Sequence, residues 1–238
     1  FLLKAAKEVL EGRVIAVTAE SPVIPVWELK EAKIISRSMK VKHIIFATDE
    51  FKDKRFLANT RLRCYWCKKG LFNKLYQVAN TAGINTVVDG TTFDDMKDYR
   101  PGLRANREYG IRSPLMEAKL SKMEIRFLAK RFKLSFWDKP STTCLASRIQ
   151  YGERITLRRI KKIEKAEGAL RKFLGSRAFF RLRDHENIAR LEFDKEYIPV
   201  FLRKKRFRDI VKAIKEIGYK YVVIDLEGYK SAGREIRV

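Results

Sequence analysis

Three cysteines are the residues best placed to do chemistry. Cys64 and Cys67 form a C-x-x-C pair within Arg63-Cys64-Tyr65-Trp66-Cys67-Lys68-Lys69, and Cys144 follows in Pro140-Ser141-Thr142-Thr143-Cys144. Under reducing conditions a C-x-x-C is a redox pair, a metal site or a cluster site. This pair opens a helical segment, where the positive helix end and nearby Arg63 and Lys68 favour thiolate. Structural zinc asks for four ligands. The sequence has only two histidines; His43 begins an apolar strand and His185 falls in a turn. Three thiolates suit a [4Fe–4S] cluster with one iron left open. Cys64, Cys67 and Cys144 are therefore candidate catalytic residues and metal ligands. A zinc-stabilised nucleotide-binding protein, or three inert thiols, are the competing readings.

Two further stretches carry polar groups at telling positions. In Asp89-Gly90-Thr91-Thr92-Phe93-Asp94-Asp95, Gly90 lets backbone approach a ligand, and Asp89, Asp94 and Asp95 offer oxygens for Mg²⁺ or a ribose. The same residues also make an ordinary acidic turn. Arg181 and Arg183 alternate with Phe180 and Leu182, so both guanidiniums share one strand face. Facing outward together they make a phosphate clamp or a solvated surface.

The elements that must position these groups alternate through the first part. Phe1 to Leu10 has helical spacing and Gly12 ends it. Arg13–Thr18 is a buried strand, Ala19–Pro22 a polar turn, and 26–39 an amphipathic helix. His43–Thr48 is a second strand, and a polar segment then delivers the C-x-x-C. Residues 65–81 form a helix with Leu71, Leu75, Val78 and Ala79 inward. Asn85–Gly90 is a third strand and Ile111–Leu115 a fourth. Ser121 and Glu124 form a capping box on a helix over 121–133. This alternation argues for a doubly wound, mostly parallel α/β sheet over 1–150, with ligands at strand C-terminal ends. Neither G-x-G-x-x-G nor a Walker A motif appears. Residues 151–238 read as a smaller α+β domain. It has a basic helix Thr156–Leu174, strands Ala178–Arg183 and Ile188–Phe193 around a turn Asp184–Asn187, a helix over 205–217, and a last strand Tyr221–Leu226.

The 53 lysines and arginines against 29 acids leave a formal charge of +24. Balanced ion-pair networks cannot absorb that excess, so a phosphate-bearing partner is expected. The stretches Arg158-Arg159-Ile160-Lys161-Lys162 and Arg203-Lys204-Lys205-Arg206 suit RNA. Three cysteines make no secreted disulfide framework and no apolar run reaches membrane length, so a reducing cytoplasm and no membrane partner are expected.

These stretches resemble the LarE family of the PP-loop ATP pyrophosphatase superfamily. The matching segments are R-C-Y-W-C-K-K (63–69), V-V-D-G-T-T-F-D-D (87–95), D-Y-R-P-G (98–102), R-S-P-L-M-E-A (112–118), W-D-K-P-S-T-T-C-L-A-S-R-I (137–149), R-L-R-D-H-E-N-I-A-R-L-E (181–192) and D-L-E-G-Y (225–229). The resemblance implies an adenine nucleotide α-hydrolase fold that adenylates a carboxylate with ATP and Mg²⁺ and then inserts sulfur. The implied substrate is pyridinium-3,5-biscarboxylic acid mononucleotide, on the route to the nickel-pincer nucleotide cofactor. It further implies that Thr18, Ala19, Glu20, Ser21, Gly90 and Thr91 lie at the nucleotide, and that Arg181 and Arg183 hold the substrate phosphate. Asp89 is a candidate for Mg²⁺.

Family members with three cysteines are expected to hold a [4Fe–4S] cluster whose unique iron carries an added sulfide. Members with only the equivalent of Cys144 sacrifice its sulfur. Sulfide or another sulfur donor and a homo-hexamer complete the expectation. A tRNA-thiolating enzyme of the same superfamily, and sacrificial sulfur transfer from Cys144, are the alternatives. The superfamily's S-G-G-x-D-S phosphate loop is missing from the sequence; the resemblance places it just before Phe1, on residues upstream. Thr92-Phe93 stands where the family usually has Asn-Ala.

Overall fold

The computed structural model describes residues 1–175, 178–203 and 207–229. Lys204, Lys205 and Arg206 of the second basic stretch, and the start of the helix expected over 205–217, lie outside the described residues. The chain divides into two compact units, Phe1–Phe56 with Thr60–Lys139, and Leu57–Asn59 with Pro140–Val238. The Cys144 turn thus folds with the C-terminal unit, where the sequence drew its line at 150.

The first unit is mixed α/β with parallel strands, as expected. Helix α1 (Leu2–Leu10) leads to β1 (Ile15–Glu20), α2 (Val26–Ser38) and β2 (Lys42–Ala47). β1 and β2 pair in parallel from Ile15↔Lys42 to Glu20↔Ala47. That register carries β1 two residues beyond Thr18, so Ala19 and Glu20 are strand rather than turn. A short α3 (Lys54–Leu57) precedes α4 (Arg63–Thr81). On α4, Ala79 is buried as expected, beside Tyr65 and Phe72, while Leu71 and Leu75 are only partly buried against them.

The third and fourth strands shrink to one parallel bridge, Val88↔Arg112. Its bonds are Arg112 N–H to Val87 O at 3.2 Å and Asp89 N–H to Arg112 O at 2.9 Å. The next donor in a parallel ladder would be residue 114, a proline without an N–H. Pro114 instead opens α6 (Pro114–Glu117), which follows α5 (Gly102–Glu108). α7 (Lys122–Arg131) starts with the expected capping box between Ser121 and Glu124.

The second unit is a three-stranded sheet flanked by helices. α8 (Leu157–Leu174) is capped by the Thr156 side chain, which accepts from Arg159 N–H at 3.2 Å. β3 (Phe180–His185) pairs antiparallel with β4 (Ile188–Phe193), and β4 pairs in parallel with β5 (Tyr221–Ile224). α9 (Tyr197–Leu202) and α10 (Phe207–Glu216) connect β4 to β5. α9 was not expected from the sequence. Its Pro199 lies in the first turn, where a missing N–H costs no helix hydrogen bond. Ile160, Ile163, Ala166 and Leu170 of α8 are buried, and Ala166 and Leu170 join Leu182, Leu191, Phe193, Ile210 and Ile214 in one core.

Candidate functional site

Cys64 and Cys67 occupy the first turns of α4, both partly exposed. Three residues apart on a helix, they present their sulfurs on one face. All three cysteines are thiols rather than disulfide-bonded. Ion pairs surround the helix start: Arg55 pairs with Asp53 at 2.9 Å, and Arg104 and Lys69 approach Glu108 at 2.8 and 3.8 Å. The Arg55 guanidinium lies 4.1 Å above the Trp66 ring, and Arg104 lies 4.9 Å and Lys69 5.4 Å from the Tyr65 ring. Amide N–H groups of the helix start add positive potential. Two thiols at a helix start fit a thiolate-bound group.

Lys68, the residue after Cys67, reaches into the Asp89 turn. Its ammonium lies 3.3 Å from Asp89 Oδ2 and donates to Asn106 Oδ1 at 2.7 Å. Gly102 makes room for it: a Cβ there would stand 3.0 Å from Lys68 Cδ. Asp89 also accepts from Thr91 Oγ1 at 2.8 Å, Thr91 N–H at 3.1 Å, Asn106 Nδ2 at 2.7 Å and Ser113 Oγ at 2.7 Å. Burial pushes the Asp89 pKa up, but the bonds from Ser113, Asn106 and Thr91 and the Lys68 charge outweigh it, leaving the carboxyl below the usual range. With both oxygens engaged, Asp89 organises the turn; a Mg²⁺ there would have to displace Lys68 or a hydrogen bond.

Asp94 and Asp95 are likewise engaged. Asp94 caps the Lys122 N–H at 2.7 Å, and Asp95 accepts from Thr92 N–H at 2.9 Å and pairs with Arg100 at 2.9 Å and Lys122 at 2.8 Å. Gly90 differs. Nothing stands within 4 Å of where its Cβ would be, and it is exposed. Packing does not demand glycine at this position.

Thr18, Ala19 and Glu20 end β1, and Ser21 follows. Thr18 Oγ1 is bonded to His43 Nε2 at 2.8 Å, and burial followed by the Lys33 charge lowers the His43 pKa. Ser21 Oγ bonds the Glu50 carboxylate and accepts from Val23 N–H at 3.1 Å. Its hydroxyl therefore shapes the loop leaving the strand.

In the second unit Cys144 caps a single 3₁₀ turn, Leu145–Arg148. Sequence reading assigned no role to Arg148, yet it is 1% exposed and holds this turn. Its Nε and Nη2 pair with Glu167 at 2.9 and 3.1 Å. Its Nη1 donates to Thr143 O at 2.8 Å and Cys144 O at 3.0 Å. Glu167, on α8, also accepts from Leu182 N–H at 3.2 Å. One buried ion pair thus fixes the Cys144 backbone to both α8 and β3. The signal was in the sequence only as an Arg and a Glu at 148 and 167, a separation no periodicity links.

Arg181 and Arg183 share a strand face as expected, but neither is outward: each is 6% exposed. Arg183 is neutralised, its Nε lying 3.0 Å from both Glu192 oxygens while Nη1 donates to Ser147 O at 2.8 Å. Arg181 donates to Phe180 O at 2.8 Å and to Ser141 O. It lies 4.8 Å from the Phe179 ring and 5.5 Å from the Tyr229 ring. Among the described residues no carboxylate pairs with it, and its buried Nε has no hydrogen-bond partner. Burial first, then the Arg148 charge, lowers its pKa. Alternation fixed the shared face; it could not reveal that the face is covered.

Cys64 and Cys67, Thr18–Ser21, Gly90, Thr91 and Asp89 therefore lie in the first unit, and Cys144, Arg181 and Arg183 in the second. Within neither unit, among the described residues, do three His, Cys, Asp or Glu side chains gather as a metal site. No helix among the described residues is long and apolar enough to cross a membrane.

One unit is mixed α/β and carries the paired cysteines on a helix; the other buries arginines around the third cysteine. No family model matches the chain. It is similar to pyridinium-3,5-bisthiocarboxylic acid mononucleotide synthase of Lactiplantibacillus plantarum, 34% identical over 234 residues, covering 97% of this chain and 82% of that one. An uncharacterised Synechocystis protein is 39% identical over 228 residues, covering 96% of this chain and 84% of its own length. One from Methanocaldococcus jannaschii is 32% identical over 212 residues, covering 89% and 79%. The chain belongs to the family of pyridinium-3,5-bisthiocarboxylic acid mononucleotide synthase, the LarE family.

Proposed function

We propose that the protein is a sulfur-inserting enzyme acting on a pyridinium carboxylic acid mononucleotide. A substrate carboxylate oxygen attacks the α-phosphorus of ATP and pyrophosphate leaves. A sulfur nucleophile then attacks the activated carbonyl carbon and AMP leaves. Magnesium would travel with the ATP. The ends of β1 and the Gly90–Thr91 turn receive the nucleotide, and the open space at Gly90 supports that assignment.

Arg181 and Arg183 receive the substrate phosphate. Arg181 is the observation that carries this reading. A buried guanidinium that no carboxylate pairs with among the described residues, lying beside two aromatic rings, has charge left over for an anion. Arg183, already paired with Glu192, orients rather than adds charge. Arg148 holds the Cys144 backbone still.

Cys64, Cys67 and Cys144 would hold a [4Fe–4S] cluster, which when bound supplies an open iron able to carry sulfide. The positive end of α4 offsets the negative charge of thiolate ligands.

Anaerobically purified protein tests both halves. Iron and acid-labile sulfide should be present, and lost on replacing Cys64, Cys67 or Cys144 by Ala. ATP and the dicarboxylate substrate should yield AMP, pyrophosphate and thiolated product. Zinc without iron would remove the cluster reading. Dehydroalanine at position 144 after one turnover, with Cys64→Ala still active, would replace it by sacrifice of the Cys144 sulfur. Arg181→Ala should raise KM and leave iron content unchanged.

A further inference from the structure

A groove of about 920 Å³ opens in the second unit between the N-terminal half of α8, the β3–β4 turn and the Ile217–Gly218 corner. Five cationic side chains line it, Arg158, Arg159, Lys161, Lys162 and Lys165, against two carboxylates, Asp184 and Glu186. It lies on the opposite face of β3 from Arg181 and Arg183, because Asp184 alternates with them along the strand. Nothing in the sulfur chemistry above uses it.

Two of the five cations are committed to the fold. Arg159 pairs with Asp184 at 2.6 Å and with Glu153 at 2.5 Å. Asp184 is further held by the Tyr219 hydroxyl at 2.8 Å. Lys162 donates to Glu186 O at 2.6 Å and sits 3.7 Å from the Tyr219 ring. Burial, reinforced by Arg158 and Arg159 and opposed by Asp184, lowers its pKa.

Arg158, Lys161 and Lys165 remain. All three are exposed, and among the described residues none pairs with a carboxylate. They recur at i, i+3 and i+7, so they form a row about 10 Å long on one helix face. Like charges at these separations repel. The first turn of α8 holds no acid, so the row also begins where the helix end is already positive. Folding alone disfavours this placement; an extended anion reverses the sign of every term.

We propose that this groove binds the phosphodiester backbone of a nucleic acid. A row of three cations suits successive phosphates along a strand better than a single phosphate group. The residues lining the groove include no aromatic ring for base stacking, so binding is by charge and nearly indifferent to sequence.

The test uses the whole chain and labelled oligonucleotides of about 20 nucleotides, single-stranded RNA, single-stranded DNA and duplex DNA, followed by fluorescence anisotropy from about 50 to 300 mM salt. Affinity should fall with salt, and the triple variant R158Q/K161Q/K165Q should flatten the log–log slope by about 2 for a single strand. At about 100 mM salt the variant should bind at least about tenfold more weakly. A control triple, K30Q/R37Q/K40Q, removes as many exposed charges from the first unit and should leave the slope nearly unchanged. Circular dichroism confirms that both variants are folded. The RNA and DNA arms decide which polymer is preferred.

Equal losses in the two triples would assign binding to diffuse net charge and overturn the proposal. So would absence of binding at low salt, complete displacement by millimolar AMP, or binding to anionic lipid vesicles without binding to oligonucleotides. None of these outcomes depends on the cluster or on sulfur transfer.

Discussion

Two polar centres of the molecule are built on opposite principles. Around Asp89 one carboxylate accepts from neutral donors and Lys68 until both oxygens are used. Around Cys144 three buried arginines converge on the same stretch of the second unit, and among the described residues two carboxylates, Glu167 and Glu192, answer them. The first centre is complete within the protein. The second has a positive charge to spare, at Arg181. A closed centre shapes a turn, and under the proposed function the open one receives the substrate phosphate.

The comparison breaks most readily at Arg148. Removing one member of a fully buried ion pair strands the other, which costs about 3–5 kcal/mol. Arg148→Ala should lower the urea midpoint accordingly, and a loss below about 1 kcal/mol would mean that the pair does not hold the turn. Next come the two strand arginines. Arg183→Leu should destabilise by about 2–4 kcal/mol, moderated because Arg190 also approaches Glu192 at 3.3 Å. Arg181→Leu should change stability by no more than about 1 kcal/mol, while weakening anion binding. Equal destabilisation by both would erase the distinction between the satisfied and the open guanidinium.

A smaller effect tests the closed centre. Asp89→Asn should cost about 1–3 kcal/mol at neutral pH. Its carboxyl lies below its unfolded value of about 3.9, so its stabilisation is present above about pH 4 and lost as the pH falls through the folded value. Asp95 behaves alike, lowered by Lys122, Thr92 and Arg100 against its burial. Denaturant titrations below about pH 4 should therefore show a shallower pH dependence in Asp89→Asn than in the parent chain. Smallest of all, Ser121→Ala and Thr156→Ala each remove one helix cap and should cost about 1 kcal/mol, one in each unit.

Local signals in the sequence were reliable where local physics decides. The Ser121–Glu124 box and the C-x-x-C at a helix start formed as read. β3 and β4 formed the expected hairpin, but pairing of Asp184 with Ala189 and of His185 with Ile188 makes Asp184 and His185 strand where the sequence suggested a turn. Residues 85–90 read as a strand because Val87 and Val88 favour one, yet only Val87 is buried and Pro114 ends the pairing. α9 was hidden by Pro199, whose harmless position depends on where the helix starts. The Cys144 support was invisible because Arg148 and Glu167 meet through tertiary folding, as do Arg183 and Glu192 across two strands. A sequence shows which residues share a face; whether water reaches that face depends on what folds over it.

Lys68 gives the cysteine helix a consequence of its own. It follows Cys67 directly and ends on Asp89 and Asn106, passing Gly102 so closely that a Cβ there would stand 3.0 Å from its Cδ. Rolling α4 about its axis would therefore pull on that ammonium and on the turn it holds. The azimuth of the two sulfurs and the shape of the Gly90–Thr91 loop are geared together, with one lysine as the tooth.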